Sequence, residues 1–263
     1  MQVQPNKSLG QNFLFDADIL STIAGYGELA KSDVVLEIGP GLGALTAQLC
    51  RQAGRVVAVE YDQNLANQLT DNVTKLLGHK PGNLEVINDD ILHFDLARLP
   101  GNYKVVANIP YNITSKIIEK LWSSDNQPSV AVLLVQREVA ERLAADPGRL
   151  SVLAISAQIF SAVSLGAVVP AELFTPVPKV DSQVVIMHRR PQPLINPGQL
   201  EQFFYAVKAG FSEKRKKLRS SLAVGLRTNK AEAERLLAEA NIDPNKRAQE
   251  LSIDDWKHLA KCD

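Results

Sequence analysis

Residues Asn108, Ile109, Pro110 and Tyr111 close the apolar run "YKVVA" and place an amide, a carbonyl and an aromatic ring within four positions. A residue that precedes proline is pushed into an extended conformation, which fixes the direction of the Ile109 carbonyl. The Asn108 side chain adds a second acceptor nearby. Two acceptors converging on an exocyclic amino group favour a pyramidal nitrogen, whose lone pair is then free to attack. Tyr111 offers a face to an unstacked base, a contact worth roughly 1–3 kcal/mol. Such residues therefore act by positioning and electrostatics. Alone, the same four residues would read as a Pro-Tyr turn.

The rest of the chain weighs against that reading. "EIGPGLGALT" (37–46) carries Gly39, Gly41 and Gly43 at alternate positions, so the backbone can turn tightly and approach a ligand without Cβ interference. The spacing is G-x-G-x-G and not the G-x-G-x-x-G of dinucleotide sites, which favours a cofactor without a pyrophosphate. Glu60 ends the next β-rich run, where an acid can accept both hydroxyls of a ribose. Asp89 and Asp90 follow the third run, placed to accept from an adenine amino group. Singly, each acid would read as a helix cap or a solvated turn residue. Together, acids after consecutive strand ends beside a glycine turn form an adenosine-shaped pocket, the arrangement of S-adenosylmethionine (SAM) methyltransferases.

The elements that must hold these residues follow from the pattern. "DVVLEI" (33–38) reads as a buried strand, and "RVVAVE" (55–60), "LEVIN" (84–88), "YKVVAN" (103–108) and "VAVLLVQ" (130–136) read as further strands. Helical patterns separate them at 44–53, at 62–77 with a stripe of Leu65, Leu69, Val73 and Leu76, and at 114–122. That alternation implies right-handed crossovers and a mostly parallel sheet. "LGAVVP" and "SQVVIMHR" suit an antiparallel hairpin at the sheet edge. The fold class expected is α/β, a Rossmann-like class I SAM methyltransferase with a mostly parallel sheet and a small all-helical C-terminal domain. A proline-punctuated connector, "RRPQPLINPG", sets the boundary, with residues 1–190 in the first domain and 191–263 in the second.

Composition excludes other classes. Hydrophobic residues make up 45% of the 263 and charged residues 22%, which is incompatible with a disordered chain. The run "VAVLLV" is too short to cross a bilayer, and no signal or transit pattern opens the sequence. Two cysteines and four histidines without ligand spacing lead us to expect neither a disulfide framework nor a metal site. The chain reads as soluble and cytoplasmic. Its zero net charge hides a split. Residues 1–180 carry 14 Lys+Arg against 18 Asp+Glu, and the remainder carries 15 against 11. Basic density peaks at Lys214, Arg215, Lys216, Lys217 and Arg219, in a form that suits a phosphate backbone as well as a solvated helix face.

Five blocks, "SLGQNFL" (8–14), "EIGPGLGALT" (37–46), "NIPYNI" (108–113), "FTPVPKVDS" (174–182) and "FSEKRKKLRSSL" (211–222), occur in the order seen in ribosomal RNA adenine dimethyltransferases. The sequence resembles that family over nearly its whole length, in particular its bacterial small-subunit (16S) members. The resemblance implies a lid at "QNFL", with Asn12 and Leu14 touching SAM. It implies Gly39 and Gly41 in the glycine turn, Glu60 at the ribose and Asp90 at the adenine amino group. Asn108, which also borders the cofactor, and Tyr111 would hold the target adenine, with Phe174 as a second aromatic against it. The activity implied is transfer of four methyl groups, two to each of two adjacent adenines in the loop of the last small-subunit hairpin, during assembly of the 30S subunit. Loop bases are splayed out at low cost, which suits such a target. The basic run would contact the RNA backbone, and nothing in the pattern demands more than a monomer. Asp89 stands where the family usually has glycine, and "NIPY" replaces the commoner "NLPY". "NIPY" also occurs in relatives that methylate large-subunit RNA and confer resistance, but "FSEKRKKLRSSL" and "ELSIDDW" favour the small-subunit group. A third reading, a nucleic-acid-binding factor without turnover, is opposed by the intact glycine turn, Glu60, Asp90 and "NIPY".

Overall fold

Strands buried on both faces need uninterrupted apolar runs, and those runs form the centre of the fold. The computed structural model describes residues 11–213 and 215–262. Lys214 and the first part of the "SLGQNFL" block lie outside the described residues. By internal contacts the chain divides into two compact units: residues 1–141 with 162–189, and residues 142–161 with 190–263.

In the first unit a two-residue strand, β1 (Phe13–Leu14), leads into helix α1 (Ala17–Gly25), whose N-cap Asp16 accepts from the backbone N–H groups of Asp18 and Ile19. Strands and helices then alternate: β2 (Val34–Ile38), α2 (Ala44–Gln52), β3 (Arg55–Glu60), α3 (Gln63–Leu77), β4 (Leu84–Asn88), β5 (Lys104–Asn108), α4 (Thr114–Ser123) and β6 (Val130–Gln136). Asp62 caps α3 and Gly78, at φ 79°, ends it. Leu65, Leu69 and Val73 are buried, whereas Leu76 of the expected stripe is 51% exposed and its neighbour Leu77 packs against the core instead. At φ 88°, Gly43 opens α2, and a Cβ there would stand 2.8 Å from Val73 and 2.9 Å from Leu69. The close seating of α2 on α3 therefore depends on that glycine.

The chain leaves this unit within α5 (Arg137–Leu143) and returns at the start of β7 (Ser161–Val169). The short β8 (Phe174–Thr175) and β9 (Ser182–Arg189) complete the first unit. The main sheet runs β4–β3–β2–β5–β6–β9–β7. β4, β3, β2, β5 and β6 are parallel, and β9 is antiparallel to β6, with Gln136 opposite Ser182. β7 and β9 lie side by side at the sheet edge, as the hairpin expectation has it, with β7 beginning earlier, at Ser161. A second, two-stranded sheet was not expected from the sequence. It pairs β1 with β8 antiparallel, Phe13 opposite Thr175 and Leu14 opposite Phe174.

The second unit is helical: α6 (Val152–Gln158), α7 (Leu200–Gly210), α8 (Leu218–Gly225), α9 (Lys230–Glu239) and α10 (Ile253–Leu259). Trp256 is fully buried and stacks on Phe211 at 5.7 Å between centroids. A Cβ on Gly210 would come within 2.3 Å of the Trp256 ring. Where a single boundary at 190 was expected, the chain crosses between the units three times, at 141/142, 161/162 and 189/190, since residues 142–161 belong with the helices. Their own hydrogen bonds explain this. Gly148 N–H donates to Gln249 O, Gln249 Nε2 donates back to Gly148 O, and Gln158 Nε2 bonds Leu143 O and Ala145 O. Among the described residues no helix is long and apolar enough to cross a membrane.

Candidate active site

The carboxyl ends of parallel strands converge on one edge of the sheet, and there ligands meet the loops of doubly wound folds. At that edge lies a cavity of about 300 Å³. Asn12, Leu14, Gly39, Gly41, Glu60, Asp90, Asn108 and Tyr111 all line it, so the expected residues from five segments of sequence meet in one place.

The floor is built by the glycine turn. Gly39, Gly41 and Gly43 all have positive φ. The N–H of Gly41 donates to Glu60 Oε2 at 3.1 Å, and the N–H of Asp62 donates to Glu60 Oε1 at 2.9 Å. Glu60 is thereby locked at the end of β3 with its remaining lone pairs available. Burial raises its pKa, opposed by these two N–H groups. The end of β4 is tied to the same point, since Asn88 Nδ2 donates to the carbonyls of Glu60 and Tyr61. Asp90 uses Oδ1 to accept from Leu92 N–H, and its Oδ2 lies 3.5 Å from His93 Nδ1. Asp89 Oδ1 caps the N–H of Asp90, a turn role for the first acid of the pair.

The N-terminal segment covers this floor. The Phe13 ring lies 3.0 Å from where a Cβ on Gly41 would be, so the lid and the glycine turn fit because that Cβ is missing. Asn108 Nδ2 donates to Asn12 O at 3.3 Å, which joins the lid to the end of β5 and leaves Asn108 Oδ1 as an acceptor. Beyond Pro110 the chain enters a 3₁₀ turn, Tyr111–Ile113, and the half-buried Tyr111 ring borders the cavity. Phe174 is placed differently from expectation. It is 1% exposed, belongs to the hydrophobic core and is absent from the cavity wall. In this conformation Tyr111 lines the cavity and Phe174 does not. The reason is β1, which pairs over Phe174 through Leu14.

Sequence reasoning missed two wall residues. Tyr61, 63% exposed, borders the cavity beside Glu60. Glu37, 1% exposed, lies in the wall with Oε2 lacking a hydrogen-bond partner among the described residues. Burial pushes its carboxyl up to about 8; the nearby Thr46 hydroxyl opposes the shift and the charge of Glu60 adds to it. The acid of "EIG" was the available signal, but a carboxylate inside an apolar strand looks like an interruption until the cavity is seen. The wall thus holds Glu37, Glu60, Asp89 and Asp90, and among the described residues it holds no Lys, Arg or His. It fits a ligand rich in donors and positive charge and repels a phosphate.

A sheet-edge pocket of this composition, on this strand order, defines a class I methyltransferase, and that class implies SAM as methyl donor. The chain belongs to the ribosomal RNA adenine dimethylase family, whose model matches residues 2–262. It is a methyltransferase of ribosomal RNA adenine. It is 38% identical to "Ribosomal RNA small subunit methyltransferase A" of Dehalococcoides mccartyi over 261 residues, 98% of this chain and 88% of that protein. Its structure is similar to that of a dimethyladenosine transferase from Plasmodium falciparum, with TM-score 0.79, 27% identity and coverage of 94% and 95% of the two chains. It is also similar to that of the 23S rRNA methyltransferase ErmE, with TM-score 0.75, 31% identity and coverage of 95% and 98%.

Glu37 makes a pH prediction. Its folded pKa is raised, so the stability it contributes is fully present below its ordinary value of 4.5 and is lost as pH rises towards about 8. Glu60 shifts in the same direction. Glu37→Gln should reduce the fall in urea unfolding midpoint between pH 5 and pH 8. An equal fall in both proteins would mean that Glu37 is ionised in the fold.

Proposed function

We propose that this protein dimethylates N6 of two adjacent adenines in the loop of the 3′-terminal hairpin of small-subunit (16S) rRNA, on the assembling 30S subunit, in the cytoplasm and as a monomer. The observation that carries the reading is Asn108 and Tyr111 at the mouth of an acid-walled, adenosine-sized cavity. Support for the small subunit comes from identity: 38% to a small-subunit enzyme against 31% to a 23S enzyme, each over nearly the whole chain.

Bound SAM supplies a methyl group on a sulfonium sulfur, a donor that needs no further activation. Glu60 accepts from its ribose hydroxyls, Asp90 from its adenine amino group, and Gly39 and Gly41 let the backbone come close. Asn12 and Leu14 close over it. Glu37, whose carboxyl burial keeps largely protonated at neutral pH, adds a hydrogen-bonding group to the wall and not a charge. On the substrate side, Asn108 Oδ1 accepts from the adenine N6 amino group, and its amide is held for this by the bond to Asn12 O. Ile109, in the cavity wall, supplies the companion carbonyl. Tyr111 stacks on the base, and Phe174 backs the lid strand from the core.

In the helical unit, Arg215, Lys216 and Lys217 are exposed. Lys217 Nζ is bonded to Asn245 Oδ1, and Arg219 pairs with Glu234 at 2.9 Å. Arg215 and Lys216 have no ionic partner among the described residues, and we assign them to the RNA backbone together with Lys214.

The deciding experiment supplies labelled SAM with unmethylated small subunits and, in parallel, protein-free large-subunit RNA. Label recovered as N6,N6-dimethyladenine in adjacent small-subunit loop positions is the expected result; label on the large-subunit RNA would overturn the substrate assignment. In the same assay Asn108→Ala should lower turnover roughly 10²-fold with subunit affinity unchanged. Equal losses in turnover and affinity would remove Asn108 from the reacting nitrogen.

Changing Arg215 and Lys216 to Ser should reduce the slope of log affinity for subunits against log salt by about 1–2. An unaltered slope would return the run to an ordinary solvated surface.

A further inference from the structure

The geometry points to Ser182 as a positioning residue for Tyr111, a role that rests on the reading that Tyr111 faces the target base. The Tyr111 hydroxyl and Ser182 Oγ lie 2.6 Å apart, a hydrogen bond between residues 71 positions distant in sequence. Ser182 is fully buried, and Oγ has no other bond among the described residues. Tyr111 lines the cavity, and its hydroxyl meets the fully buried Ser182.

The ring is therefore held at both ends. Its backbone end follows Pro110 and sits in the 3₁₀ turn that Ile113 N–H closes onto Pro110 O. Its hydroxyl end is tied to the first residue of β9, which stands opposite Gln136 of β6. The anchor is itself rigid. The carbonyl of the adjacent Asp181 accepts from Arg137 N–H at 3.0 Å, and its carboxylate accepts from Ala171 N–H at 3.0 Å. A tyrosine bound to a free-standing turn could swing about its side-chain bonds. One bonded at its far end to the central sheet presents its face in one orientation, and the base stacked on it inherits that orientation relative to Asn108. Removing either hydroxyl leaves the other as a buried group without a partner. Both partners are therefore required for the same geometry.

The test compares Ser182→Ala, Tyr111→Phe and the double variant, using whole subunits and labelled SAM. Ser182→Ala is expected to lower kcat about tenfold to a hundredfold, with the KM for subunits and the affinity for SAM unchanged. Tyr111→Phe removes the same bond from the half-exposed side and should lose a similar factor. The double variant should be no worse than the poorer single one. In parallel, a fluorine-labelled tyrosine at position 111 should give one narrow resonance in the otherwise wild-type protein and a shifted, broadened one when Ser182 is Ala. Wild-type kcat with an unmoved resonance in Ser182→Ala, or losses that multiply in the double variant, would overturn the assignment. If the wild-type protein methylates neither RNA, the substrate reading fails, and the fluorine spectrum still decides whether Ser182 holds the ring.

Discussion

The N–H of Gly41, donated to a carboxylate oxygen of Glu60, is the contact on which the rest of the site depends. It closes the turn after β2 onto the end of β3 and so defines the floor of the cavity. It also orients an acid that burial would otherwise leave poorly satisfied. The same glycine leaves the space that the Phe13 ring occupies from above. One residue without a side chain thus serves the floor, the acid and the lid. A larger residue at 41 would meet the lid ring and would have to adopt a positive φ that favours glycine.

From that floor the site extends by short ties to neighbouring strand ends. Asn88 binds the end of β4 to the carbonyls after β3, Asn108 binds the end of β5 to the lid, and Tyr111 binds the following turn to β9. Asparagine suits two of these ties because it donates to a backbone carbonyl while keeping an acceptor of its own. The consequence is a wall that is polar in chosen places and apolar elsewhere, as small-molecule sites generally are.

Much of this was legible in the sequence because it is local. Strands β3 and β6 occupy the residues their apolar runs marked, since a buried parallel strand has no other way to look, and the edge strand β4 falls where its β-rich residues did. Gly39, Gly41, Glu60, Asp90 and Asn108 could be assigned to one edge because each ends a strand whose direction the alternation dictates. What stayed hidden is non-local or too short to have a period. Two-residue strands show no alternation, so the β1–β8 pairing that buries Phe174 left no trace. The hydroxyl pair of Tyr111 and Ser182 joins residues too far apart in sequence for any spacing to reveal. Residues 142–161 carry an ordinary helical pattern, and such a pattern says which face is buried but not which core receives it. Glu37 was passed over because an acid in a strand interior acquires meaning from its surroundings.

The absence of basic side chains from the described cavity wall also bears on competition. Adenosine in a cell is found mostly on phosphorylated carriers, nucleoside triphosphates foremost, and a pocket that recognised the nucleoside alone would fill with them. Here Glu60, Asp89 and Asp90 oppose any polyphosphate that enters with the nucleoside, and no lysine or arginine of the described wall offsets that repulsion. The ionic character of the wall therefore acts as a sieve. On the proposed reading it admits the nucleoside when a cation is attached to it and turns it away when phosphate is.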